Sequence, residues 1–197
     1  EQGHIGAQRT LGYSYYCGDC IPQDYEKAYH WYSEAAAAQR NPGLNSNYSA
    51  PLFNLGRLHE EGRGVSQNYQ EAIKWYTMAA ERGNSMAQLN LGLMYAQGRG
   101  LAINESTAIE WFTKAAEQGY PKAQQELGLL YHRATNVPRD YKQAYAWLSV
   151  AALSGDLDNR RERDACASEL SPEAFLEAQS LAVALQAQMG PLWWPEG

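Results

Sequence analysis

The sequence predicts an all-α fold in which helix pairs stack into a solenoid, and three observations predict it. Leu-Gly pairs recur at Leu11-Gly12, Leu55-Gly56, Leu91-Gly92 and Leu127-Gly128, in steps of 44, 36 and 36. Tryptophans recur at Trp31, Trp75, Trp111 and Trp147, each 20 residues after its leucine. The period is therefore 36, with one eight-residue insertion between Trp31 and Leu55. A repeat of that length is the mark of a solenoid, whose units bury a shared core by stacking. Helix formers such as Ala, Gln, Glu and Leu are plentiful, and β-branched residues are few.

Each unit reads as two helices. The first carries A-Q-x-x-L-G-x-x-Y, so that Ala87, Leu91, Gly92 and Tyr95 fall on one helical face. A glycine inside a helix costs about 1 kcal/mol against alanine. Four in one column imply an offsetting gain, the close approach of a neighbouring helix. The turns "EGRGVSQN" (61–68) and "QGRGLAIN" (97–104) hold two glycines able to take left-handed backbone angles. In the first unit Cys20 stands in the column of the second glycine. The second helices start at Asp24, Asn68, Asn104 and Asp140, all good N-caps. Glu71 and Gln143 follow their caps by three residues, as in a capping box. The face Ala72, Trp75, Tyr76, Ala79, Ala80 predicts tryptophan knobs in alanine sockets, with all four repeat tryptophans in the core.

The insertion segment "NPGLNSNYSAP" (41–51) predicts a surface loop. The fourth unit has Ala134 and Asn136 in place of the turn glycines, so its turn should differ. No fifth Leu-Gly occurs, since Arg163 and Asp164 stand there. A charged helix is expected over 157–168 and a last one from Ser171, with Pro172 and Glu173 in its first turn. Its Phe175, Leu176, Leu181 and Leu185 are expected to close the end of the stack. The tail "PLWWPEG" is expected to fold Trp193 and Trp194 back on the last helix.

Composition excludes some functions. The chain has 197 residues, 45% hydrophobic and 19% charged, with net charge −6. Disorder is not expected, and the acidic balance argues against nucleic acid. No apolar run approaches the roughly 20 residues of a membrane span, and no signal peptide is visible. No G-x-S-x-G occurs, and the G-x-G turns lack the preceding strand of a dinucleotide site. His4, His30, His59 and His132 fall in different columns, without metal-ligand spacing. Neither catalysis nor a cofactor is indicated.

Residues 87–119, "AQLNLGLMYAQGRGLAINESTAIEWFTKAAEQG", resemble the Sel1-like repeat, whose hallmarks are A-x-x-x-L-G-x-x-Y, G-x-G-V/L and K-A-x-x-W-Y/F-x-K-A-A-E-x-G. The resemblance covers four units, about 7–39, 51–83, 87–119 and 123–155, within 1–155. Capping helices would occupy 156–190 and a tail 191–197. It implies a right-handed α/α superhelix, related to tetratricopeptide folds, with C-terminal capping helices. It also implies a bacterial, non-enzymatic adaptor or scaffold that binds a protein or peptide in a concave groove. Location would be periplasmic or secreted, with the cytoplasm as second choice. The alternative is an inhibitor that neutralises a secreted effector, as immunity proteins do. The disulfides of cysteine-rich relatives do not carry over, because the turns lack that cysteine pairing.

The columns that vary between units mark a candidate partner face on the first helices. Counted from the leucine, position −2 holds Arg9, Phe53, Leu89 and Gln125, and position +2 holds Tyr13, Arg57, Leu93 and Leu129. Position +5 holds Tyr16, Glu60, Ala96 and His132, and position +6 holds Cys17, Glu61, Gln97 and Arg133. The spacing places them on one face, apolar at its centre and polar at its rim. Cys17 and Cys20 form the only C-x-x-C, at the end of a first helix. They can be unreactive thiols, a local disulfide in an oxidising compartment, or half of a metal or redox site. Finally, "EQG" at 1–3 repeats "EQG" at 117–119. The echo suggests that the chain starts at a repeat junction, with a repeat or helix upstream. Ile5, Ala7 and Leu11 would then present an apolar end suited to self-association.

Overall fold

The computed structural model describes residues 2–38 and 49–189, and among them every regular element is helical. Ten α-helices follow in order: α1 (Gln2–Cys17), α2 (Tyr25–Ala38), α3 (Ala50–Glu61), α4 (Tyr69–Ala80), α5 (Ser85–Gln97), α6 (Glu105–Glu117), α7 (Pro121–Arg133), α8 (Tyr141–Ala151), α9 (Leu157–Ser168) and α10 (Pro172–Met189). A 3-10 turn, Ala152–Ser154, follows α8. The fold is an all-α solenoid of helix pairs. Two compact units divide it: Glu1–Met94 with Gly98–Ala102, and Tyr95–Gln97 with Ile103–Gly197. In the first, α1 packs on α2, α2 on α3 and α3 on α4. In the second, α6 packs on α7, α7 on α8, and α8 on both α9 and α10.

The helical glycines are seats for side chains of the second helix. A Cβ on Gly12 would stand 2.7 Å from the Tyr32 ring, and one on Gly56 2.6 Å from the Tyr76 ring. At Gly128 it would meet Leu148 at 2.7 Å. Tyr32, Tyr76, Phe112 and Leu148 are accordingly large, fully buried side chains of the second helices. They follow the tryptophans by one position, and this corrects the predicted core. Trp31, Trp75 and Trp111 are only partly buried, and only Trp147 is enclosed. One residue along a helix is a rotation of 100°, enough to swing the tryptophan to the flank of the seam.

All four predicted N-caps form. Asn68 accepts from the amides of Gln70 and Glu71, Asn104 from Thr107, and Asp140 from Lys142 and Gln143. Asp24 accepts from Lys27 at 2.9 Å. The reciprocal half of a capping box does not form. The cap's own N–H bonds instead to a carbonyl nine residues back: Asp24 to Tyr15, Asn68 to His59, Asn104 to Tyr95 and Asp140 to Tyr131, at 2.8–3.1 Å. That bond ties the two helices of each pair together and leaves Glu71 to pair with Lys74. Cys20 takes the left-handed angle of its glycine column, φ 67°, the only non-glycine with positive φ among the described residues.

The fourth turn does differ. Ala134 has φ −50° and ψ 140°, and the backbone amides of Thr135, Asn136 and Val137 all donate to the carboxylate of Glu105. The Thr135 hydroxyl adds a fourth donor group at 2.9 Å. Glu105 stands where the other repeats have Tyr25, Tyr69 and Tyr141. The loss of the turn glycines and the gain of a carboxylate thus belong to one substitution set.

Further corrections are local. Of the predicted loop 41–51, the described part already starts α3, with Ser49 at its N-cap position. The rest of that loop and Trp193 and Trp194 lie outside the described residues. The two "EQG" words do not share a backbone. Gly3 lies inside α1, whereas Gly119 turns at φ 80° and donates to Ala116 O at 2.9 Å. Ile5 is buried, while Ala7 is exposed. Leu11 is 39% exposed although Leu55, Leu91 and Leu127 are fully buried. On α10, Phe175 meets Tyr145 edge to face at 5.2 Å and Ala178 is enclosed. Leu181 and Leu185 are half-buried, and Leu176 points to solvent, one helical step off that seam.

Candidate partner-binding cleft

Steps of three and four along a helix bring Ala50, Phe53, Asn54 and Arg57 onto one face of α3. Arg9, Thr10 and Tyr13 do the same on α1, and Met86 projects from the start of α5. These eight residues line one cleft of 460 Å³ in the first unit. Only first helices contribute to it. Four of the residues expected from the variable columns meet here: Arg9, Tyr13, Phe53 and Arg57. Thr10, Asn54, Ala50 and Met86 were missed. Their columns, −1 and −5, also vary between units, so the same signal read more widely would have found them.

The cleft is apolar with a cationic element. Tyr13 is 54% and Met86 41% exposed, whereas Phe53 is 7% exposed, forming floor rather than rim. The Arg57 guanidinium lies 3.9 Å over the Tyr16 ring and 5.7 Å from that of Phe53. Its Nε is buried and finds no acceptor among the described residues. A hydrogen bond to Cys17 and the nearby Cys17 charge push the Tyr13 phenol up, with Arg57 pulling the other way.

The other expected residues are held within the fold. The Tyr16 hydroxyl donates to Glu61 at 2.9 Å and accepts from Arg63 at 3.2 Å. Glu60 accepts from the Tyr76 hydroxyl at 2.5 Å and pairs with Arg99. Leu89 is buried and Leu93 half-buried. In the second unit Gln125 accepts from Lys122 at 2.8 Å. Leu129 packs against the cluster of Ala144, Tyr145, Leu148, Cys166 and Ala178. His132 meets Glu162 at 3.1 Å, and Arg133 pairs with the same carboxylate. The C-terminal helices thus engage Leu129 and His132, a use the repeat alone did not indicate. A second 460 Å³ cleft, unanticipated, lies between α8 and α10, lined among others by Tyr145, Leu153, Arg163 and Val183.

Cys17, Cys20 and Cys166 are all free thiols in the structure. Burial pushes the Cys166 thiol up to about 11, which makes it a packing residue. Among the described residues no group of three or more His, Cys, Asp or Glu could hold a metal ion. No helix there is long and apolar enough to cross a membrane.

A stack of helix pairs with an apolar cleft on its first helices defines a helical-repeat scaffold. The profile of the Sel1 repeat matches residues 5–39, 52–84, 85–120 and 121–156. The chain belongs to the Sel1 repeat family. It is similar to a Sel1 repeat protein from Oxalobacter formigenes, with 28% identity, 91% of this chain and 72% of that one covered, and a TM-score of 0.72. It is also similar to a protective antigen of uropathogenic Escherichia coli with an SLR fold, at 28% identity and TM-score 0.58. There the match covers 95% of this chain but 46% of the antigen, so this chain spans less than half its length. Sel1 repeats form scaffolds that generally mediate protein interaction and are typically non-enzymatic.

Proposed function

We propose that this protein is a non-catalytic adaptor that binds a protein or peptide partner in the cleft of α1, α3 and α5. The observation that carries the reading is the convergence of Arg9, Tyr13, Phe53 and Arg57, from columns that vary between repeats, on one 460 Å³ cleft. Its exposed Tyr13 and Met86 against a buried Phe53 floor have the anatomy of an interface, apolar at the centre and polar at the rim.

Phe53 and Leu89 are buried, so charges there would disturb folding before binding. The test therefore uses Tyr13→Glu and Met86→Glu, which sit on exposed positions. A partner captured from the source proteome by the full chain should be lost by both variants, with far-UV circular dichroism and melting unchanged. Retention of full affinity by the folded double variant overturns the cleft assignment.

A further inference from the structure

We infer that the cleft receives the free C-terminal end of a partner polypeptide whose last side chain is apolar, with the terminal carboxylate on Arg57. The inference rests on the adaptor reading of the same cleft and goes on to name the chemistry of its ligand.

Charge points to an anion. The chain carries 22 acidic and 16 basic residues, yet two arginines and no carboxylate line this cleft. Arg57 makes no ion pair and no hydrogen bond among the described residues, and its buried Nε–H has no acceptor. An unpaired cation beside apolar rings favours an anionic ligand, and a buried donor without partner calls for an explanation. The guanidinium is also positioned by the Tyr16 ring, its carbon lying 3.9 Å over the ring centre. A planar fork fixed in this way is preorganised for two parallel hydrogen bonds to one carboxylate.

The apolar wall selects the kind of carboxylate. The Phe53 ring lies 5.7 Å from the guanidinium, so the ligand must carry its charge and its apolar group side by side. In an extended peptide, successive side chains point to opposite faces. An acidic side chain and the residue next to it therefore do not enter one cleft together, and residues two apart on the same face stand about 6.6 Å apart, farther than the 5.7 Å between the Arg57 guanidinium and the Phe53 ring. A chain terminus does present both, because the carboxylate and the last side chain share one Cα. Asn54, one residue from Phe53, offers an amide to the peptide bond that precedes them. A volume of 460 Å³ suits a short end rather than a folded surface.

The test screens the full chain against random heptapeptides made in two forms, with a free C-terminal carboxylate or a carboxamide. The expected binders come from the carboxylate form and end in Leu, Ile, Phe, Met or Trp. Amidation of a selected peptide should weaken it by about 10- to 100-fold, the worth of a charged hydrogen-bonded pair. Arg57→Gln should match that loss, and Arg57→Lys should fall between, because the fork is lost while the charge remains. Equal affinity of both forms, binders defined by an internal Asp or Glu, or no binder in either form overturns the inference. The amidation arm needs no variant, so a misfolded Arg57→Gln leaves it decisive. If Tyr13→Glu and Met86→Glu abolish capture of a protein partner while Arg57→Gln leaves it intact, the terminal-carboxylate inference falls and the adaptor reading stands. If none of these variants affects capture, both fall.

Discussion

Gly56 and Gly6 are both helical, and their substitution by alanine should have opposite effects. Nothing lies within 4 Å of a Cβ at Gly6, so Gly6→Ala should add up to about 1 kcal/mol of helix propensity. A Cβ at Gly56 would stand 2.6 Å from the Tyr76 ring, and overpacking of that kind costs about 1–3 kcal/mol. Urea denaturation of the two variants checks the sign. The two tyrosines on these seats differ as well. Burial, and then the Glu60 charge, push the Tyr76 phenol up, and its hydroxyl donates to Glu60. Tyr32 is equally buried, but its hydroxyl has no partner among the described residues, because Tyr16 stands in the Glu60 column. Tyr76→Phe should therefore cost about 1.5–3 kcal/mol, while Tyr32→Phe should be neutral or add up to about 1 kcal/mol. The repeating glycine was legible as a place of close approach. Which side chain occupies it was not, because tryptophan and its neighbour are both large and differ only by 100° of helix phase.

At the scale of the element, the turn between α7 and α8 is held by Glu105. Burial alone would raise its carboxyl, but the amides of Asn136, Thr135 and Val137 bring it below the ordinary 4.5. A depressed carboxyl contributes stability that is complete above 4.5 and is lost as pH falls through the lower folded value. Glu105→Gln should therefore destabilise at neutral pH by about 1.5–3 kcal/mol. Its difference from the parent should shrink as the medium is acidified below 4.5, which denaturation at a series of pH values reads directly. Glu162 makes the corresponding contact for α9, through His132 and Arg133. Glu162→Ala should speed amide exchange in α9 more than in α8, whose core cluster it leaves intact. N-caps and helix order were legible here because capping is local chemistry. The glycine-free turn could be expected to differ, but its solution joins residues 30 or more positions apart. Spacing within one repeat carries no trace of such a pair.

Over the whole molecule, residues of the first unit on α1, α3 and α5 line an open cleft, and the second unit uses the matching columns to dock its own terminal helices. One periodic sequence thus forms an open cleft in one unit and a seat for terminal helices in the other, on equivalent positions. The sequence by itself determined the all-α class, the 36-residue period, the four repeats and their helix starts, because these follow from periodicity and backbone capping within a few turns. It also marked Arg9, Tyr13, Phe53 and Arg57 as neighbours, through columns that vary where the frame does not. Only the tertiary structure decided that Tyr16 and Glu60 are bound into the fold, that Leu129 and His132 lie against α9 and α10, and that Arg57 finds no acceptor for its Nε among the described residues. Each of those outcomes depends on which residue of another helix comes within hydrogen-bonding or contact distance, and separation along the chain does not encode that distance.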